Sequence, residues 1–338
     1  MDIIIKSFNR AYYLDRCIQS IHKNVKGNFQ IKIIDDGTPK EYLDKIVEKY
    51  SVEIIPTANY AQKSKNIKEG KTNDGFVIPT ESWRQAVENA SEYFLITEDD
   101  VWFTKEINCN DLIDEMKLNN IHLAKLGILG IYSDDNYVEI KSISNELETT
   151  YPLNTFTSNR FIMNLFIFNK FKFFTILYKL GLVDNHTKRK YWILNSILMG
   201  LYRKDYWLYI WKDSINLLDE KIQLRNAGVW FGKYKSNRNI ISRTTTEKMK
   251  TTFKSSASGQ YHNYDIHLSV DRVNQILNEV WLKGEFNAME NYPKDFSDNY
   301  IKTFLDKENH PDAQSVEWQK WAEKFKQQYR NLGAEVDN

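Results

Sequence analysis

Three polar clusters in the chain have residue types and spacings suited to chemistry on a phosphorylated ligand. The first is Glu98-Asp99-Asp100, which follows the apolar run Tyr93-Phe94-Leu95-Ile96. Carboxylates at the end of a buried strand offer hard oxygen ligands, and Mg²⁺ typically binds through one or two of them plus substrate phosphates. Such a cation neutralises charge on a departing diphosphate and acts as a Lewis acid. An acidic pair after a strand is also an ordinary helix cap or solvated turn. What favours the metal reading is a second pair, Asp35-Asp36-Gly37, after the run Phe29 to Ile34. The third cluster, Phe8-Asn9-Arg10, follows the run Asp2 to Ser7.

The elements that carry these clusters alternate in type. Ile3-Ile4-Ile5 is continuous enough for a strand buried on both faces. Leu14, Ile18 and Ile21 recur at helical spacing, and so do Leu43, Ile46 and Val47. Val52 to Ile55 predicts a third strand, and a helix over Glu81 to Ala90 precedes the fourth. This β-α-β-α rhythm predicts a mostly parallel, Rossmann-like sheet flanked by helices. Ligands of such sheets bind beyond the carboxyl ends of the strands, where all three clusters fall. No Gly-x-Gly-x-x-Gly or Gly-x-x-x-x-Gly-Lys loop is present, so glycine-rich backbone does not cradle the phosphates.

Composition narrows the partners. The 338 residues carry a net charge of +1 and are 42% hydrophobic, which fits a packed core and a small polar ligand rather than nucleic acid. Cys17 and Cys109 are too few for a disulfide framework or a structural zinc site. The chain opens directly on a strand-like run, so no leader is expected and a cytoplasmic location is. Phe161 to Leu182 is rich in Phe, Ile and Leu but broken by Lys170, Lys172 and Lys179, which argues against a spanning helix. It reads either as a core helix with basic residues in solvent or as a peripheral contact with a membrane surface.

The runs Ile3 to Arg10, Ile33 to Thr38 and Glu92 to Val101, taken in order, resemble the donor half of GT-A glycosyltransferases, which use nucleotide sugars. The resemblance implies that Asn9, Arg10, Asp35 and Asp36 contact the nucleotide. It places Asp99 at the ribose or in the metal shell and makes Asp100 the direct metal ligand, exposed to Mn²⁺ or Mg²⁺, in the place of the DXD motif. In the second half, Ile241-Ser242-Arg243-Thr244, Gly259-Gln260-Tyr261 and Asp265-Ile266-His267-Leu268 are similar to the eukaryotic N-acetylglucosaminyltransferases that initiate complex N-glycans. There a Trp-Asp-Asp segment holds the catalytic base. Leu218-Asp219-Glu220 stands in its place, with Leu for Trp and Glu for the second Asp, so that likeness implies Glu220 as base.

A base must reach the acceptor hydroxyl and remove its proton as the bond forms, which Glu220 suits. The plain alternative is a solvated helix turn, and Asp213 is the fallback base. Ser258, in the flexible run Ser-Ala-Ser-Gly, is expected to contact the diphosphate from a closing loop. His262 is a further candidate metal ligand, weighed against a solvated loop histidine. Trp83 is read as lining the sugar pocket or packing in the core. Trp281, Trp318 and Trp321 are read as packing residues of a helical C-terminal region, 266–338, after a catalytic domain over 1–265 whose donor half is 1–131 and acceptor half 132–265.

The expected function is inverting, metal-dependent transfer of a hexosyl or N-acetylhexosaminyl group from a nucleotide sugar, UDP foremost, to a glycan or lipid-linked acceptor. A nucleotidyltransferase is the rival enzyme, but Phe8 to Tyr13 lacks the glycine of a triphosphate loop. The other rival is a non-catalytic nucleotide- or sugar-binding module of the same fold.

Overall fold

The computed structural model of the protein describes residues 1–71, 73, 75–127, 137–254, 265–331, 333 and 336. Its centre is an eight-stranded sheet. In chain order the strands are β1 (Asp2–Ser7), β2 (Gln30–Asp35), β3 (Val52–Pro56), β4 (Tyr93–Glu98), β5 (Leu123–Lys125), β6 (Leu147–Thr149), β7 (Gly200–Arg203) and β8 (Ile241–Thr244). Across the sheet they run β6-β8-β5-β7-β4-β1-β2-β3. β1 pairs in parallel with β2 and β4, β2 with β3, and β5 with β8, while β7 runs antiparallel between β4 and β5 and β6 antiparallel beside β8. The expected α/β class holds: a GT-A, Rossmann-like sheet, mostly parallel, flanked by helices.

The apolar runs are continuous because both faces of the central strands are covered. Ile3 and Ile5 enter one core cluster and Ile4 the other, all without solvent exposure. Leu95 joins the first cluster, and Phe94 and Ile96 the second. Each such side chain contributes roughly 1.5–3 kcal/mol on full burial. Strands alternating polar and apolar could not occupy these positions.

The helices after residue 265, Val270–Leu282, Asp298–Glu308 and Ser315–Asn331, form as expected. They share one core with the helix Ala11–Asn24, because Trp281, Trp318 and Trp321 lie in the same buried cluster as Tyr12, Tyr13 and Leu14. Hydrogen bonds across this junction are buried too: Tyr12 Oη to Asn274 at 3.0 Å and Trp281 Nε1 to Asp15 at 2.8 Å. Arg16 is buried and donates to the carbonyls of Ala288, Glu290 and Lys294. The three tryptophans are thus packing residues.

Phe161 to Leu182 differs from the single helix expected. It forms two short helices, Arg160–Ile167 and Phe173–Lys179, joined by a 3₁₀ turn at Lys170–Lys172. Met163, Phe166 and Ile167 are core residues, whereas nothing in Phe173–Lys179 is fully buried. Asn169, Phe171 and Lys172 all have positive φ, near 50–57°, which stops the first helix and turns the chain.

His122, at the head of β5, is fully buried and accepts a hydrogen bond on Nδ1 from Trp230 Nε1 at 2.9 Å. A proton on Nδ1 would face that N–H, and burial, helped by nearby Arg203, pushes the imidazole pKa down to about 3. The unfolded chain takes up the proton near pH 6.5, so between about 6.5 and 3 it binds more protons than the folded one and stability falls as pH falls. The buried aspartates Asp99 and Asp100, whose pKa values are raised, contribute the opposite slope, so the test is a difference between proteins. Between pH 7.5 and pH 5 the urea midpoint of the wild type should move downward relative to that of His122→Gln, which should be the less stable of the two at pH 7.5. Parallel changes in both proteins would remove His122 as a source of pH dependence.

Candidate active site

Strand order places a crevice beside β1. The chain runs from β1 outward through β2 to β3, then returns to β4 on the other side of β1. That reversal is the switch point at which α/β sheets bind ligands. The register aligns Lys6 with Glu98 and Ser7 with Asp35, so Phe8-Asn9-Arg10, Asp36 and Asp99-Asp100 emerge at one edge.

The acidic triplet does not project into open solvent. Asp99 is fully buried and Asp100 is 7% exposed, which corrects the expectation of an exposed ligand. The cause is Arg10, whose guanidinium donates to Asp99 through one nitrogen and to Asp100 Oδ2 through another. Asp99 also accepts from the Phe8 N–H at 3.1 Å, and Glu98 pairs with Lys6 at 2.6 Å. Burial raises the pKa of both aspartates while Arg10's charge opposes the rise. Arg10, assigned to the nucleotide from sequence, is here the counter-ion of the carboxylates.

Several polar atoms at this edge are buried and have no hydrogen-bond partner among the described residues, Ser7 Oγ and Arg10 Nε among them, and two bear on a ligand: Asp100 Oδ1 and Asn9 Nδ2. Buried polar atoms are rarely left unpaired without a ligand to satisfy them. Oδ1 is an acceptor turned away from Arg10, which fits one protein ligand to a cation. No three His, Cys, Asp or Glu side chains among the described residues come together to hold an ion unaided. A cation here would therefore draw its remaining ligands from phosphates and water, the habit of Mg²⁺. Asn9 lies in left-handed backbone, φ 52, held by Asn278 Nδ2 donating to its carbonyl at 3.0 Å and to its Oδ1 at 3.1 Å. Its amide nitrogen remains available to a ligand.

Asp35 and Asp36 divide their roles. Asp35 accepts from the N–H groups of Gly37 and Thr38 at 2.9 and 2.7 Å, and from the Thr38 hydroxyl at 2.6 Å. It builds the turn and, fully buried, has no oxygen left for a nucleotide, which corrects that assignment. Gly37 completes the turn at φ 138, where an added Cβ would stand 2.5 Å from Lys63 Cβ. Asp36 accepts from Thr57 and pairs with Lys63, whose ammonium lies 4.9 Å from the Phe8 ring and 5.4 Å from the Phe76 ring. Lys63 was missed because it sits in a polar, lysine-rich stretch, Thr57 to Asn73, where nothing in the sequence separates a buried lysine from a solvated one.

The second half supplies the opposite wall. Asp219 caps the helix Glu220–Lys233 by accepting from the Lys221 N–H at 2.9 Å. Glu220 follows at the first helical position, exposed and without a hydrogen bond or ion pair among the described residues. Tyr329, on the last helix, lies within electrostatic reach of both walls. Burial raises its hydroxyl pKa, and the charges of Asp100, Glu98 and Glu220 add to the rise. No sequence signal marked this tyrosine. Asp213, the fallback base, is held through Oδ2 by Arg225 and by Arg160 at 3.4 Å, two positive charges that compete with a proton for that oxygen. Trp83 stacks edge-on against Trp211 at 5.6 Å with Lys6 over its ring at 4.7 Å, half-buried beside the crevice.

Ser258 and His262, with Gly259-Gln260-Tyr261, lie outside the described residues. Ile241-Ser242-Arg243-Thr244 is β8, an interior strand, with Arg243 paired to Glu148 at 2.6 Å. His267 is exposed, its backbone N–H donating to Glu317 at 3.0 Å.

Replacing Arg10 by Gln should leave two buried carboxylates without a counter-charge, a loss of about 3–5 kcal/mol in unfolding free energy. Because both would then be protonated more readily in the folded state, the deficit should shrink as pH falls from 7.5 to 5.5. Wild-type stability of Arg10→Gln at both pH values, measured by urea unfolding, would show that Arg10 is not the counter-ion.

No relative among the curated proteins matches the chain in sequence. Solved structures do resemble it, at low identity. S. aureus TarS 1–349 in complex with UDP-GlcNAc is 14% identical, with 98% of this chain and 80% of that one covered and a TM-score of 0.42. Galactosyltransferase LgtC in complex with donor and acceptor sugar analogues is 11% identical, covering 100% and 98% at a TM-score of 0.34. Glucosyl-3-phosphoglycerate synthase from Mycobacterium tuberculosis, in complex with Mn²⁺, UDP and glucosyl-3-phosphoglycerate, is 8% identical, covering 85% and 81% at a TM-score of 0.36. None of these comparisons shows the likeness of the second half to the eukaryotic N-acetylglucosaminyltransferases. Residues 2–180, more than half of the chain, match glycosyl transferase family 2, and the protein belongs to that family.

Proposed function

We propose that the protein transfers a hexosyl or N-acetylhexosaminyl group, with inversion, from a UDP-sugar to a hydroxyl of a glycan or lipid-linked acceptor in the cytoplasm. The observation that carries this reading is that Asp100 Oδ1, buried and unpartnered, and the carboxylate of Glu220, unpaired among the described residues, both lie within electrostatic reach of Tyr329. A divalent cation, Mn²⁺ or Mg²⁺, would be held by Asp100 and would neutralise the departing diphosphate.

The chain's own residues supply the rest. Asn9 Nδ2, unpartnered at the end of β1, would bind the nucleoside, with Asp36, whose two oxygens already accept from Thr57 and Lys63, supporting that pocket at the end of β2. Arg10 opposes the rise that burial imposes on the pKa of Asp99 and Asp100, and so favours their ionised, cation-binding form. Glu220 takes the proton of the acceptor hydroxyl as the new bond forms. Although the residue as a whole is exposed, partial burial of its carboxyl, and then neighbouring Asp219, raise its pKa, which strengthens it as a base. Tyr329, within electrostatic reach of Asp100 and Glu220, would help exclude water that competes with the acceptor.

Thermal shift with UDP, with and without Mn²⁺, tests donor binding apart from transfer. UDP should stabilise the wild type and Glu220→Gln only when Mn²⁺ or Mg²⁺ is present, and should not stabilise Asp100→Asn. Because Asp100 is buried, Asp100→Asn should also lose some intrinsic stability, so each variant is compared with its own UDP-free control. In transfer assays over a panel of UDP-sugars and glycan acceptors, Glu220→Gln should be slower by roughly 10²–10⁴-fold. A shift that ignores the metal would leave a nucleotide-binding module as the better reading. Normal transfer by Glu220→Gln beside an inactive Asp213→Asn would move the base to Asp213.

A further inference from the structure

Between residues 160 and 190 the chain carries seven basic residues and a single acid, Asp184, although the whole protein has a net charge of only +1. Asp184 is used locally, capping the helix Asn185–Arg189. Lys170, Lys172 and Lys179 make no ion pair among the described residues, so their charge faces outward uncompensated. The apolar residues beside them are exposed as well. Phe171 is 89% exposed and Phe161 70%, with Ile176, Leu180 and Leu182 above half.

This exposure is built into the backbone. Phe171 and Lys172 lie at φ 53 and 57, a region that bulky L-residues rarely enter. Asn169 secures the turn, accepting from the Thr175 N–H at 3.1 Å and donating to the Thr175 hydroxyl at 3.0 Å. Phe171 is thereby held away from the core that takes Phe166 on the preceding helix. Exposed apolar side chains interspersed with lysines that make no ion pair among the described residues, over one short stretch, suit the boundary of a bilayer, where rings enter the acyl region and ammonium groups meet lipid phosphates.

We infer that the face formed by Phe161, Phe171, Ile176 and Leu180 with Lys170, Lys172 and Lys179 docks the protein on an anionic bilayer surface. Charge complementarity selects this occupant, since anionic lipid headgroups attract clusters of lysines. No single helix among the described residues is long and apolar enough to cross a membrane, and only the two helices here, taken together across their 95° bend, have the length and composition for it. The lysines between them, Lys170 and Lys172, and at the end of the second, Lys179, make the contact a peripheral one. The face also leads to the site. Helix Arg160–Ile167 packs on helix Glu220–Lys233 where Met163 meets Gly228, so closely that a Cβ on Gly228 would stand 2.6 Å from Met163 Cε. Docking there brings the helix that starts at Glu220 close to the bilayer, which fits the lipid-linked branch of the acceptor class. This last step alone rests on the function proposed above.

Co-sedimentation of the full chain with phosphatidylcholine vesicles, with and without phosphatidylglycerol, and with neither metal nor nucleotide, tests the docking. The wild type should bind the anionic vesicles and release as salt rises. Lys172→Gln should bind roughly fivefold more weakly, and Phe171→Ser roughly tenfold. Both variants should keep the wild-type thermal shift with UDP and Mn²⁺, which shows that fold and donor site are intact. Vesicle binding retained by Asp100→Asn would show that docking stands whether or not the donor reading does. Failure of the wild type to bind anionic vesicles, or equal binding by wild type, Lys172→Gln and Phe171→Ser, would overturn the inference. So would a dimer in analytical ultracentrifugation that Phe171→Ser dissociates, because the face would then belong to a second copy of the chain.

Discussion

One guanidinium between two buried carboxylates holds the donor edge together. Arg10 follows β1 and Asp99-Asp100 follow β4, so the contact ties the two strands on either side of the switch point at their carboxyl ends. Removing three charged groups from water is expensive, and their attraction offsets that cost only when the geometry is close and other hydrogen bonds help. The help is present. The Phe8 N–H donates to Asp99, and the Thr251 hydroxyl and Thr252 N–H both donate to the Asp100 carbonyl at 3.2 Å. The threonines arrive on and just after the short strand Met249–Thr251, paired with Val101–Phe103, so the second half of the chain also depends on this point.

The C-terminal helices extend the same logic. Tyr13 Oη lies 2.9 Å from the Thr252 hydroxyl and 3.0 Å from the Asp295 carboxylate, linking the first helix, the strand behind Asp100 and the C-terminal region in one buried network. Lys254, two residues after Thr252, pairs with Asp298 at 2.7 Å, and Asp298 in turn meets Lys326 of the last helix at 3.5 Å. The last helix is therefore anchored to the framework that fixes Asp100, and Tyr329 comes to the crevice as part of it. Phe253 and Phe325 pack against the Tyr329 ring at 4.8 and 5.2 Å.

The donor half was readable because its signals are local. An unbroken apolar run means a strand covered on both faces, and polar residues just beyond it mark the ligand edge. What those polar residues touch was not local. Arg10 and Asp99 are 89 positions apart, and Asp36 and Lys63 are 27 apart. Sequence therefore located Arg10 at the site but not its role as counter-ion, and it overrated Asp35, which a turn of the Asp-x-Gly-Thr kind consumes entirely. The break at Asn169 to Lys172 was hidden for another reason. No glycine or proline marks it, because asparagine and its bonds to Thr175 impose the left-handed turn.

Charge balance joins the two halves of the site. Lys6 cancels Glu98, and Arg10 cancels one of the two aspartates, leaving a single negative charge at the crevice. A diphosphate placed there alone would meet repulsion. With one divalent cation the same crevice becomes net positive and attracts it. A second aspartate left free of Arg10 would bind the cation more tightly but hold the product diphosphate less well. On the proposed reading, Arg10 thus tunes how far nucleotide binding depends on metal, while Glu220, outside this balance and unpaired, keeps its negative charge for the acceptor's proton.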